Sequence, residues 1–186
     1  MGRIQPQSHL SKDGAPFELR SAEIADAETL LAFVVTTAAT TDQILTRPEE
    51  FPDLEGERAF IRAALDGSTR LLVTALHQGR FIATLGLHGG RNARNRHTAE
   101  LGMMVTAGWR SRGVGAALIT CALDWARANA VLEKVCLSVY DENAAGRALY
   151  RKMGFEEEGR QRGQVRLDTG RLVDLIHMGI WVKPRR

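Results

Sequence analysis

The sequence predicts an α/β fold, a mixed β-sheet with helices on its faces. Three observations carry that expectation. Ala99-Glu100-Leu101-Gly102-Met103-Met104-Val105 alternates like a strand, and a short turn leads it into Arg110-Ser111-Arg112-Gly113-Val114-Gly115-Ala116, the opening of an amphipathic helix. A second strand-to-helix pair follows, with an apolar run at 134–139 and helical spacing from Ala144 to Lys152. Both pairs are flanked by short apolar runs joined by turn residues, which read as hairpins. Strands mixed with helices in this order give a sheet that needs helices to cover its faces.

Along the chain, residues 1–16 are polar, with Pro6, Gly14 and Pro16, and read as a loose tail ahead of a single domain over 17–182. Phe17-Glu18-Leu19-Arg20 is a first short strand. From about Ala22, the positions Ile24, Ala27, Leu30, Leu31, Val34 and Val35 recur at helical spacing. Residues 36–52 form a long connection broken by Pro48 and Pro52. A second helix then turns Phe60, Ile61, Ala64 and Leu65 to the core and stops near Gly67. Residues 71–77 and 80–87 are strands joined at Gln78-Gly79, a tight hairpin turn. A loop rich in Gly, Asn and Arg covers 88–96. After the strand at 99–105, Val114, Leu118, Cys121 and Trp125 make one stripe of a helix. The strand at 134–139 and helix at 144–152 follow. Residues 155–167 and 171–182 close the chain as a hairpin around Asp168-Thr169-Gly170, and Lys183 to Arg186 read as a solvated tail.

Composition narrows the functional classes. The 186 residues, 44% hydrophobic and 25% charged, suit one globular domain with a real core. A net charge of +3 fits an anionic small molecule better than nucleic acid, for which a stronger and clustered basic excess is expected. Cys121 and Cys136 show no metal-ligand spacing and are too few for a disulfide framework, so no metal and a reducing cytoplasm are expected. The sequence has no long apolar run and no signal-like start, which speaks against a membrane or secreted protein.

The chemistry concentrates at Arg110-x-x-Gly113-x-Gly115. A glycine turn entering a helix N-terminus directs several free backbone N–H groups to one point, and the helix dipole adds positive potential there. Glycines at 113 and 115 allow a close approach of an anion, and Arg110 and Arg112 add charge at the rim. The expected ligand group is a diphosphate. A dinucleotide-binding turn fits poorly, because its third glycine position is Leu118 and the motif sits late in the chain. A Walker loop is excluded by the lack of a Gly-Lys-Ser/Thr continuation.

This motif, joined by Val139-Tyr140-Asp141-Glu142-Asn143 and Ala148-Leu149-Tyr150-Arg151-Lys152-Met153-Gly154-Phe155, resembles the GNAT superfamily of N-acetyltransferases over about 17–182. The resemblance implies acetyl-CoA as co-substrate and transfer of its acetyl group to a primary amine. It implies that the strand with Val105 and the strand with Leu137 splay apart, exposing the backbone of Met103, Met104 and Val105 to the pantetheine arm. The N–H groups of Arg112, Gly113, Val114, Gly115 and Ala116 would hold the diphosphate.

Tyr150 then stands as the acid that meets the leaving thiolate, or as a packing aromatic. Asn143 is a helix N-cap and, by the resemblance, a partner of the pantetheine arm. An amine is mostly protonated at neutral pH, so a base is needed. Glu100 is the first candidate and His97 the second; a solvated strand carboxylate is the plainer reading of Glu100. Arg91, Arg94 and Arg96 could meet an acidic acceptor or the phosphates of the cofactor, and Asp174 could orient an amine, although both sets also read as surface or structural features. The stretch 166–174 running into Met178 is similar to members that acetylate amino acids, small amines or protein N-termini, without separating them. The resemblance is also compatible with a homodimer. A non-catalytic acyl-CoA sensor on the same fold stays open as the alternative function.

Overall fold

A computed structural model describes residues 2–184 of the chain. Its centre is an eight-stranded sheet in the order β1-β2-β3-β4-β5-β6-β8-β7. The strands are β1 (Gln7–Leu10), β2 (Pro16–Ser21), β3 (Arg70–His77), β4 (Arg80–Gly89), β5 (Thr98–Val105), β6 (Lys134–Tyr140), β7 (Glu156–Arg166) and β8 (Leu172–Trp181). The helices are α1 (Ala27–Ala38), α2 (Leu54–Asp66), α3 (Val114–Ala128) and α4 (Ala144–Lys152). Strand neighbours are antiparallel except β5 and β6, which run parallel. That single parallel pair makes the sheet mixed, and α3 is its crossover.

Strand alternation sorts the two faces. Leu71 and Val73 of β3 lie beside Leu87 and Leu85 of β4 and, beyond them, Leu101 and Met103 of β5. This face packs on Val114, Leu118, Ile119 and Leu123 of α3 and on Tyr150 of α4. The opposite face carries Leu72, Gly86 and Gly102 in register and is covered by α1 and α2 through Leu30, Val34, Ile61 and Leu65. Burial of these side chains, at about 1.5–3 kcal/mol each, is what holds the helices on.

Two expectations change here. The segment at 1–16 is no loose tail: Gln7–Leu10 pairs with Leu19–Pro16, because an exposed β2 edge offers unpaired backbone groups that a preceding strand can satisfy. The first helix begins at Ala27, five residues after Ala22, because Asp26 accepts the Glu23 N–H at 2.7 Å and the Arg20 guanidinium at 2.6 Å, which favours a short 3-10 turn first. At the other end, Lys183 donates to the carbonyl of Asn129 at the close of α3, so it is tied down; Arg185 and Arg186 lie outside the described residues.

Candidate active site

The ladder between β5 and β6 joins only Thr98, Ala99 and Glu100 to Lys134, Val135 and Cys136. Beyond Glu100 the strands part, although β5 stays paired to β4 as far as Val105 and β6 to β8 as far as Tyr140. Leu101–Val105 therefore presents one backbone edge to an open gap. Parting of this kind strands polar groups unless a ligand meets them. The splay expected from the family resemblance is present.

At the mouth of the gap, Gly113 caps α3 with φ +96°, and Ser111 precedes it at φ +61°. Among the described residues, the N–H groups of Arg112, Gly113, Val114, Gly115 and Ala116 donate to no acceptor; the first helical bond runs from Ala117 to Gly113. The two glycines serve different ends. A Cβ on Gly113 would meet nothing closer than Lys12 Cγ at 3.8 Å, so its need for glycine is the left-handed backbone. A Cβ on Gly115 would lie 3.1 Å from Leu149 Cδ2 and 3.3 Å from Met103 Cε, so that glycine lets α3 close onto β5 and α4. For Gly115 this packing role adds to the anion role read from the sequence, since its N–H also donates to no acceptor among the described residues.

Arg112 is also not free at the rim. Its Nε and Nη2 donate to the Asp13 carboxylate at 2.9 and 2.5 Å, its Nη1 to the Gly108 carbonyl at 3.0 Å, and its guanidinium covers the Trp109 ring at 4.0 Å. The Lys12 N–H donates to the Arg112 carbonyl at 2.9 Å, so the β1–β2 turn is docked on the glycine turn. Sequence reasoning missed Lys12 because nothing local links residue 12 to residue 113. Arg110 donates from Nε to the Val105 carbonyl at 3.0 Å and is otherwise exposed, leaving its charge at the rim as expected.

Hydrogen bonds from Ser11 and from Arg112 hold the Asp13 carboxyl down at about 2. This lies below the value near ~3.9 of an unfolded aspartate, so the contact stabilises fully above about pH 4 and is lost as pH falls toward 2. Asp13→Asn should therefore loosen the turn at 11–15 at neutral pH, read as faster amide exchange there. Equal exchange in the two proteins would mean that the backbone bonds alone hold the hairpin.

Behind the gap lies a cavity of 630 Å³ bounded by α1, α2, the connection at 43–52, β4, β5, β6 and the start of α4. It passes through the sheet where β5 and β6 part, since Leu101 and Val139 from the α3 face and Gly102, Met104 and Ser138 from the α1/α2 face all line it. Met103, Asn143, Tyr150 and Glu100 line it as well, so the catalytic and several of the cofactor candidates converge.

Tyr150 is 9% exposed, packs edge-on to Phe155 at 5.9 Å, and has no hydrogen-bond partner for its hydroxyl among the described residues. Burial pushes its pKa up to about 12, so it stays protonated at neutral pH. Asn143 caps α4: its Oδ1 accepts the Gly146 N–H at 2.9 Å, which leaves its amide NH₂ for another partner. Glu100 occupies the last rung before the strands part. Its cross-strand neighbour is His88, which sequence reasoning assigned to a loop; β4 runs on to Gly89 and turns His88 toward the cavity. A Cβ on Gly86 would lie 2.8 Å from His88 Nε2, so the imidazole lies over that glycine. Burial first, and the Arg70 charge second, lower the His88 pKa and keep the ring neutral.

The remaining candidates fall elsewhere. His97, before β5, does not line the cavity, and neither do Arg91, Arg94 and Arg96, which sit in the exposed loop between β4 and β5. Asp174 accepts Arg160 at 2.5 Å and the Gly163 N–H at 2.7 Å, a structural tie that replaces the acceptor-orienting reading. Among the described residues no cluster of His, Cys, Asp or Glu could hold a metal, and no helix is long and apolar enough to cross a membrane.

Comparison with known proteins agrees with this geometry. The chain is 28% identical to the L-methionine sulfoximine/L-methionine sulfone acetyltransferase of Pseudomonas paraeruginosa over 169 residues, covering 90% of this chain and 96% of that protein. It is 29% identical over 110 residues to the L-amino acid N-acetyltransferase AaaT of Escherichia coli, a match that spans 57% of this chain and 65% of that relative. The crystal structure of a GNAT-family acetyltransferase from Streptococcus pneumoniae superposes with a TM-score of 0.86 at 25% identity, over 89% of this chain and 99% of that one. The profile of the acetyltransferase (GNAT) family matches residues 36–155, which include the parted strands, the glycine turn and Tyr150, and the chain belongs to that family.

Proposed function

We propose that this protein transfers the acetyl group of acetyl-CoA directly to the nitrogen of a primary amine bound in the cavity. The observation that supports this most is the parting of β5 and β6 with a row of unpaired N–H groups at its mouth. A diphosphate fits the N–H groups of residues 112–116, with Arg110 and the Lys12 side chain adding charge. The Asp13 carboxylate cancels most of what Arg112 would contribute, so Lys12 takes over part of that role. An extended amide-bearing arm fits the gap, where the β5 edge at Met103 and Val105 and the Asn143 amide offer it partners; Met104, expected from the resemblance to join them, turns its backbone groups to β4 instead. The thioester supplies an activated acyl carbon and a thiolate leaving group.

The chain's own residues then have three tasks. Glu100, at the apex of the gap and beside neutral His88, takes the proton released as the amine becomes an amide. The cavity walls position the acceptor nitrogen toward the gap. Tyr150 donates a hydrogen bond to the sulfur as the C–S bond breaks. With its pKa near 12, full proton transfer to a thiolate of ordinary pKa near ~8.5 would be uphill by about 5 kcal/mol, so Tyr150 works mainly as a fixed hydrogen-bond donor.

The test is acetyl-CoA-dependent thiol release against amino acids, polyamines, aminoglycosides and peptides. Release that depends on one acceptor class is the expected result. Acetyl-CoA binding without release in any class would favour a sensor, and no binding would remove the co-substrate itself.

A further inference from the structure

The acceptor side of the cavity has a polarity of its own. Besides Tyr140 and Tyr150, its ionisable lining residues are Glu50, Glu57, Glu100 and His88; among the described residues, no lysine or arginine contributes to the lining. Arg70, the cross-strand neighbour of His88, lies back against Gly67 and stays outside it. Glu57 differs from the other carboxylates. It is 5% exposed and sits on the inner face of α2 among Leu30, Val34, Phe60 and Leu72 of the cavity wall. No side chain or backbone group among the described residues donates to its carboxylate, and burial raises its pKa. Gln43, which also lines the cavity, has a buried Oε1 with no partner among the described residues.

A buried acceptor without a donor, as at Gln43 Oε1, is costly unless something supplies one, and the Glu57 carboxylate, which has no protein donor, would take donors from the same source. An ammonium group is such a source, with three N–H donors and no lone pair. A carboxylate-bearing acceptor meets the reverse situation, acceptor facing acceptor with no cation to offset it.

We propose that Glu57 and Gln43 bind a second, non-reacting ammonium group, so that the preferred acceptor is an aliphatic diamine without a carboxylate. Leu30, Val34 and Leu72 contact its hydrocarbon body, and the reacting nitrogen points toward Glu100. This assignment rests on the acetyl-transfer reading for its chemistry, and it departs from the amino acids named for two relatives.

A matched set of acceptors tests it: 1,5-diaminopentane, hexylamine and 6-aminohexanoate carry an ammonium, a methyl and a carboxylate on the same five-methylene amine. The expected order of kcat/KM is diamine, then monoamine, then amino acid. Glu57→Gln should lower the diamine value at least about tenfold more than the monoamine value, through KM, and Glu57→Asp should recover part of that loss. Calorimetry of the same amines on the CoA-saturated protein reads the preference without chemistry. Diamine binding that weakens in Glu57→Gln supports the assignment even if no amine is acetylated, an outcome that would count against the transfer reading alone. Equal losses for diamine and monoamine, or a preference for 6-aminohexanoate, would overturn it.

Discussion

Tyr150→Phe is expected to lower kcat by about 10²-fold while changing KM for acetyl-CoA by less than about twofold. The substitution removes only the hydroxyl. The ring is held edge-on to Phe155 within the core that also contains Ile176 and Met178, and phenylalanine keeps those contacts. The hydroxyl has no protein partner to lose, so folding stability should shift little. The lost interaction is the hydrogen bond to sulfur, formed as charge develops there. Since burial keeps Tyr150 protonated up to about pH 12, the ratio of wild-type to variant rates should stay flat between about pH 6 and 9. Intact turnover at saturating substrates would reduce Tyr150 to a packing residue. A ratio that titrates near neutrality would assign the proton to another group.

The second large effect is expected at Gly115. In Gly115→Val, even the first added carbon lies 3.1 Å from Leu149 and 3.3 Å from Met103, and the branch methyls reach further. Overpacking of this kind costs about 1–3 kcal/mol. Relief comes by moving the first turn of α3 away from β5, which misdirects the N–H groups of residues 113–116. Thermal unfolding should fall and the Kd for CoA should rise about tenfold or more. Gly113→Ala makes the contrast: it has open space, so its cost of about 1–2 kcal/mol comes from the left-handed backbone at φ +96°. Wild-type unfolding and CoA affinity in Gly115→Val would mean that the Leu149 and Met103 side chains yield freely.

The glycine turn was legible because its chemistry is local. A strand, a turn and a helix start within about twenty residues bring their own N–H groups to one point, and glycine marks the positions where backbone geometry or close approach demands it. Asn143 was legible for the same reason, since a cap acts on the turn that follows it. Glu100 was legible as part of the alternating strand at 99–105. Its neighbour His88 was lost because the strand was ended at Leu87, two residues early, before the histidine and Gly89.

The rest depended on contacts far apart in sequence. The docking of residues 12 and 13 on residue 112 joins segments about a hundred positions apart, so no window of sequence holds both partners. Glu57 reads in sequence as an ordinary helix carboxylate; it is unusual only because α2 lies against β3, which turns it into a cavity also walled by α1. Gln43, in the long connection ahead of α2, is likewise defined by what the fold puts around it.

The sequence by itself therefore determined the layers, the glycine turn at the start of α3 and the family. Each follows from periodicity, turn chemistry or a short motif, which are near-neighbour properties of the backbone. Tertiary structure alone decided that Arg112 is neutralised, that Asp174 is tied to Arg160 and Gly163, and that the cavity is lined by Glu50, Glu57 and Glu100. Charge pairing and desolvation depend on which groups lie within a few ångströms, and that is set by packing between elements.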